Sequence, residues 1–408
     1  MYQLSVSRGA ALYIGAQLGP GLLLLPGLAA AKAGPASILA WFGLLLLSAL
    51  LGTVFAALGI RFPSGTGVRG YADAGLGRWA GRATSWCFLA GIITGAPVIC
   101  VIGAIYISEL AGAGPGAASV IAVVLLVGVL ALSRRGVRTS TSVQFGLVVL
   151  LLVVVVVGVA GAAPAARAEN WTPFAPHGWT AIVAAASALM LSFAGWEAVA
   201  PLTGRFADPR RQLPKVVAIT FVVISLIYLA LAAVTIGALG TDAGTAVPLA
   251  SLLVLAIGPA GFTVAAVCAA ILTVGTINAY LSGASALART LTANDREGDT
   301  PPAWLLGAIL TAGSVIIGLL GIGIVPLDAL VAIPSAMFLM VYLSCTAAAC
   351  RLLSGGTKVA AAVAFVAVVV ILVFTGPAAI PAVILTLVTA FARRPRVPQP
   401  ASKQTSRC

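Results

Sequence analysis

The chain has 408 residues, of which 61% are hydrophobic and 8% charged, with a formal net charge of +13 and a mean hydropathy of +1.13. Soluble domains carry about a quarter charged residues, so this composition excludes a water-facing globular core, a disordered chain, a coiled coil and a disulfide-stapled secreted scaffold. The apolar material must face lipid, and the length accommodates about a dozen helices of ~20 residues that each cross a bilayer.

The basic surplus does not point to a nucleic-acid partner, because the lysines and arginines are scattered among apolar runs. Cys87, Cys100, Cys268, Cys345, Cys350 and Cys408 include no Cys-x-x-Cys pair. They read as small apolar residues rather than as a disulfide framework or zinc site. No metal or cofactor is expected, and the first apolar run is too long for a cleavable signal.

In chain order, the expected spans are 10–31, 37–60, 83–107, 117–132, 143–162, 181–202, 216–239, 261–291, 303–322, 327–350, 359–374 and 378–392. The segment 248–257 is apolar but too short to cross, and reads as a re-entrant or surface helix on the outer side. The whole of 1–392 is one transmembrane domain, followed by a basic tail over 393–408. With twelve spans, 21 of the 23 lysines and arginines fall in one set of alternating loops and both termini, leaving Lys32 and Arg167 on the other side. Basic residues favour the cytoplasm, so both termini are expected there, in a bacterial plasma membrane.

Two spans are broken. The first carries Gly19-Pro20-Gly21 in mid-span, followed by Pro26. Proline removes a backbone donor and glycine permits non-helical torsions. Irregular backbone survives in a bilayer only where it lines a cavity. The sixth span carries Ser192-Phe193-Ala194-Gly195-Trp196-Glu197, and Glu197 is read as the only charged residue inside any span. Such a charge costs ~2.5–3.5 kcal/mol on insertion scales and usually faces a functional cavity. An apolar surrounding would disfavour its charged form, as a proton carrier needs. A structural acid capping the following half-helix would do the opposite. Spans 1 and 6 are equivalent if spans 1–5 (about 10–162) and 6–10 (about 181–350) form two halves. Paired broken helices are a pointer to a transporter site, and an odd number of spans per half makes the second half inverted.

These stretches carry a resemblance. Gly19 through Pro26 is similar to the G-S/T-G-I-F-x-x-P motif of the amino acid–polyamine–organocation (APC) superfamily of secondary transporters. Arg61-Phe62-Pro63-Ser64-Gly65-Thr66-Gly67 with Tyr71 and Gly75 resembles its P-x-S-G-G-x-Y. Phe193 to Glu197, followed by Asp208-Pro209-Arg210-Arg211-Gln212-Leu213-Pro214, resembles F-x-G-x-E and N-P-x-R-x-I-P. Asn278 to Arg289 with Pro301 is similar, more weakly, to the end of the family's eighth helix. The short loops look most like bacterial exporters of methionine and branched-chain amino acids.

The resemblance implies an all-α, LeuT-type five-plus-five inverted repeat with peripheral helices over 359–392. It implies a substrate carboxylate at Gly19, Pro20 and Gly21, and its amine and side chain at Phe193, Ala194 and Gly195. Glu197 would be the acid of proton coupling. Gln17, Trp196 and Asn278 complete the expected substrate site, and Tyr106, Gln144, Tyr280 and Ser282 are further path-lining candidates; Gln17, Asn278 and these four read individually more readily as packing or interhelical hydrogen-bonding residues. Pro20 departs from the family's Ser or Thr, removing a hydroxyl and a backbone donor.

The leading expectation is a proton-coupled carrier of neutral, apolar amino acids, with export implied by the resemblance. Sodium symport through Thr273, Thr276 or Ser282 is the alternative. A membrane-embedded enzyme is remote, for want of clustered acids or histidines.

Overall fold

A computed structural model describes residues 4–63, 67–136, 141–292 and 300–391. Ser64, Gly65 and Thr66 of the second motif, Arg138, Arg296, Ala392 and the basic tail lie outside the described residues.

The first expected span is two helices, α1 (Val6–Gln17) and α2 (Gly21–Ala33), and α3 (Ser37–Arg61) follows. A short α4 (Gly67–Leu76) leads into α5 (Arg78–Leu110), then α6 (Pro115–Arg134) and α7 (Thr141–Ala162). The sixth expected span is α8 (Ala181–Leu189), a 3-10 turn, α9 (Trp196–Val199) and a second 3-10 turn to Arg205. The chain continues as α10 (Pro209–Leu239), α11 (Pro248–Ile257), α12 (Ala260–Thr292), α13 (Ala303–Gly321), α14 (Leu327–Leu352), α15 (Gly355–Phe374) and α16 (Ile380–Phe391). Among the described residues there is no strand, only an isolated bridge between Leu4 and Phe206. Among the described residues, nine helical segments are long and apolar enough to cross a membrane, the stretch Gly21–Arg61 counting as one. Ala181–Phe193, Pro248–Ile257 and Gly376–Phe391 are shorter apolar helices.

Local chemistry sets the ends of these helices. Proline opens α6, α10 and α11, where its missing N–H is no loss. Asp208 caps α10 by accepting from the Arg211 N–H at 3.2 Å. Gly34, at φ +59°, closes α2 and lets the chain turn back into α3.

α5 and α14 form the interior of the bundle, and α4, α6, α12, α13, α14 and α16 all pack on α5. α6, α7, α13 and α15 bury far less and expose large aliphatics such as Val124, Val156 and Val366. A wide apolar surface of this kind suits lipid rather than water. Cys87, Cys100, Cys268 and Cys345 are buried free thiols.

Two sequence readings need correction. Residues 67–76 lie between expected spans, yet they form α4, where Arg69 and Asp73 pair across one turn at 3.6 Å. Polar residues hid this helix because its apolar face is only Val68, Tyr71 and Ala72. Glu197 is also not alone as a charge within a span. Arg289 near the end of α12 donates to the Thr300 carbonyl at 2.5 Å. Asp328 in the first turn of α14 meets Lys32 in the last turn of α2 at 2.6 Å. There the cation sits at a helix C-terminus and the anion at a helix N-terminus, the favourable sense for both dipoles. Both side chains are partly exposed, so the pair is worth under about 1 kcal/mol. A double-mutant cycle with Lys32→Met and Asp328→Asn, read by thermal unfolding in detergent, should give a coupling of that size. Strict additivity would show that the pair carries no coupling.

Candidate functional site

The α-helical ladder stops at two places that face each other. α1 ends at Gln17, Leu18 leaves helical torsions (φ −86°, ψ 81°), and Pro20 stands at the N-cap of α2, which starts at Gly21. In the other strand of the site, α8 tightens into a 3-10 turn over Met190–Phe193, Ala194 is extended, and α9 restarts at Trp196. Each break frees backbone carbonyls that must find partners away from water.

One hydroxyl serves both breaks. Tyr228, buried on α10, lies 2.8 Å from the Gln17 carbonyl and 2.7 Å from the Ser192 carbonyl. With a single proton it donates to one of them at a time. The breaks also touch directly. A Cβ on Gly195 would stand 2.7 Å from the Ala16 carbonyl oxygen, so only glycine permits this approach. Ser192 Oγ lies against Gly21. Further along, Tyr106 donates to the Leu23 carbonyl at 2.6 Å.

Glu197 opens α9. Its Oε2 accepts from the Gly195 N–H at 2.9 Å and from the Tyr342 hydroxyl of α14. Tyr342 is also 3.0 Å from the Phe193 carbonyl. The carboxylate therefore does cap the restarting half-helix, as the structural reading of this acid required. The geometry leaves it a second capacity, because Oε1 is buried without a hydrogen-bond partner. Glu197 also lines a cavity of about 460 Å³, together with Gly19, Thr276 and Tyr280. This cavity runs from the breaks to Arg69, Pro201 and Leu202, at the end of the bundle that carries the Arg-rich loops. Gln144 lies on its wall.

A smaller pocket of about 40 Å³ adjoins the cavity, sharing Ala16, Gly19, Thr276 and Tyr280. Gln17, Pro20, Gly21, Ser192 and Ala194 form its polar and backbone side. Gly91, Ile92, Gly95, Ile99 and Phe338 form an apolar side. Gln17 is 2% exposed, and neither its amide oxygen nor its amide nitrogen has a partner. Ser192 Oγ is likewise buried and unpartnered.

The sequence-derived residues therefore divide. Gln17, Gly19, Pro20, Gly21, Ala194 and Glu197 converge on the two adjoining spaces. Phe193 lines neither space; it packs on Trp41 and Tyr228, and its carbonyl accepts from the Tyr342 hydroxyl. Trp196 points away, donating to Ser48 Oγ at 3.0 Å and stacking edge-on with Tyr13. Gly195 acts through its backbone, and Asn278 lies outside both linings. Sequence reasoning passed over Tyr228 and Tyr342, and it quoted Ser192 only as part of the break, without a role in the site. A buried tyrosine in an apolar span was the available signal, since a hydroxyl there must find a partner.

The chain matches the amino acid permease family over residues 4–385. It belongs to that family, within the APC superfamily. It is 32% identical over 385 residues to an uncharacterized amino acid permease, YecA, of Bacillus subtilis, covering 90% of each chain. It is 28% identical over 392 residues to YjeH, an L-methionine/branched-chain amino acid exporter of Escherichia coli, covering 92% of each. A branched-chain amino acid permease of B. subtilis, BcaP, matches at 26% identity over 55% of this chain and 52% of its own. The permease is thus a multi-pass membrane protein of a transporter family, not an enzyme.

Replacing Tyr228 by Phe should leave the Gln17 or Ser192 carbonyl unsatisfied and cost ~1–3 kcal/mol, lowering the melting temperature by several degrees. An unchanged melting temperature would mean that the two breaks do not depend on this hydroxyl.

Proposed function

We propose that the permease is a secondary active transporter of neutral, apolar amino acids that works by alternating access, coupled to protons through Glu197, with export by antiport. The fold in this reading is a LeuT-type inverted repeat over about 10–162 and 181–350, with 359–392 peripheral. The basic loops and both termini face the cytoplasm of a bacterial cell, and the large cavity opens to that side.

The observation that carries the reading is Glu197: one carboxylate oxygen is tethered at the helix break and the other is buried, unpartnered, on a residue that lines the cavity. Such an oxygen gains or loses a proton without dismantling its own anchor. Alternating access follows when the protonated and unprotonated forms favour different facing states, because a ligand shifts such an equilibrium only by differential affinity. Apolar walls at Ile92, Ile99 and Phe338 suit an aliphatic or thioether side chain. The names of relatives point the same way, since one exports methionine and branched-chain amino acids.

Gln17 supplies what Pro20 removes. The Leu22 and Leu23 N–H groups turn onto the Gly19 and Pro20 carbonyls at 3.1 and 3.0 Å, so the start of α2 offers few donors to an anion. The unpartnered Gln17 amide nitrogen in the same pocket takes their place at the substrate carboxylate, while its oxygen and the carbonyls of the α8–α9 break accept from the ammonium. Sodium coupling is the second reading, favoured by Thr276 at the junction of the two spaces.

In proteoliposomes, Glu197→Gln should abolish pH-driven flux of methionine or leucine while retaining exchange, and replacing sodium by choline should leave the parent unchanged. Full pH-driven flux in the variant would remove Glu197 from coupling, and loss of flux without sodium would favour symport. Gln17→Ala should raise KM roughly tenfold or more, the worth of ~1.5 kcal/mol for one hydrogen bond to a charged group. A KM unchanged in that variant would place the carboxylate elsewhere.

A further inference from the structure

On the outside of the bundle, α3, α10 and α15 leave a groove of about 330 Å³ that no side chain fills. Its α3 wall runs from Ala49 to Ile60, which at 1.5 Å per residue is about 16 Å. Half the hydrocarbon core of a bilayer is ~15 Å. The groove therefore has the depth of one lipid leaflet. Its floor is small along α3, at Ala49, Thr53, Ala56 and Ala57, and Phe221 bounds it on α10. The Thr53 hydroxyl is turned back onto the Ala49 carbonyl at 2.8 Å, so it presents no free donor to the groove. It lies apart from the transport cavities, with which it shares no lining residue.

At its basic end, each of the three helices places a cation directly after a lining residue. Ile60 is followed by Arg61, Pro214 by Lys215, and Thr357 by Lys358. All three cations are exposed. Arg61 donates to the Leu352 carbonyl and leans over the Phe62 ring. The acid nearest in sequence on these elements, Asp208, is engaged by Arg211 at 3.5 Å.

We propose that this groove is a binding site for one anionic glycerophospholipid, with an acyl chain along α3 and the phosphate among Arg61, Lys215 and Lys358. Neither feature alone would specify a ligand. An apolar furrow accepts any lipid tail, and a basic rim attracts any anion. Their combination, a leaflet-deep furrow whose end residue on each of three helices is followed by an exposed cation, selects a molecule that is apolar at one end and anionic at the other. Basic pockets between membrane helices on the cytoplasmic side recognise anionic head groups on this principle. The site does not depend on the substrate or on the coupling ion.

Native mass spectrometry of the full-length protein, titrated with phosphatidylglycerol or with phosphatidylcholine of the same acyl chains, tests the proposal. Phosphatidylglycerol should bind more tightly, and affinity should fall about fivefold for each lysine removed in Lys215→Gln and Lys358→Gln. Ala57→Leu, which fills the furrow and leaves the charges in place, should also weaken binding. Glycerol phosphate, which has the head group without the tails, should not compete. Equal binding of the two lipids, unchanged affinity in both lysine variants, or competition by glycerol phosphate would each overturn the proposal. Should the double lysine variant melt early in phosphatidylcholine, the exposed Lys358→Gln alone gives the same reading.

Discussion

Everything in this protein follows from the cost of a free backbone carbonyl or N–H in hydrocarbon. A helix satisfies these groups internally, and most of the chain takes that solution. At Leu18–Pro20 and at Met190–Gly195 the ladder is abandoned, and the freed groups are handed to side chains from elsewhere. Tyr228 reaches the Gln17 and Ser192 carbonyls, Tyr342 reaches Phe193, and Glu197 takes the Gly195 N–H. The breaks are held open by a buried polar network, and the space between them is the candidate site.

That network couples elements that are far apart in sequence. Glu197 is bound by a residue of α14, and Tyr228 bridges α1 to the α8 break from α10. The Leu4 N–H also donates to the Arg205 carbonyl at 2.9 Å, joining the start of the first span to the end of the sixth. A movement of either broken span is therefore felt by the other, and this is the linkage that the proposed proton at Glu197 would use to bias access to the pocket beside Gln17.

The breaks themselves were legible in the sequence because proline and glycine announce them: Gly19-Pro20-Gly21 in one span, Gly195 beside Glu197 in the other. Glu197 was legible as a charge that hydrocarbon would not tolerate without a purpose, whereas Gln17 read more readily as an interhelical packing residue. Trp196 carried a misleading signal. It sits next to Glu197, yet its side chain faces Ser48 and Tyr13, since adjacent residues on a helix point in different directions. Tyr228 and Tyr342 gave no local cue to their partners, which lie 36 to 211 residues away. The Lys32–Asp328 pair was hidden for the same reason, spanning 296 residues.

Sequence by itself determined the solvent this chain folds in, the approximate limits of its helices and the two points where they cannot continue. Those properties are local: hydropathy over ~20 residues and the torsional limits of proline and glycine. Only the tertiary structure decided which hydroxyl closes each break, which oxygen of Glu197 is left without a partner, and that Gln17 rather than Asn278 borders the pocket. These are long-range matters, set by how helices far apart in the chain come to lie side by side, and no window along the sequence contains them.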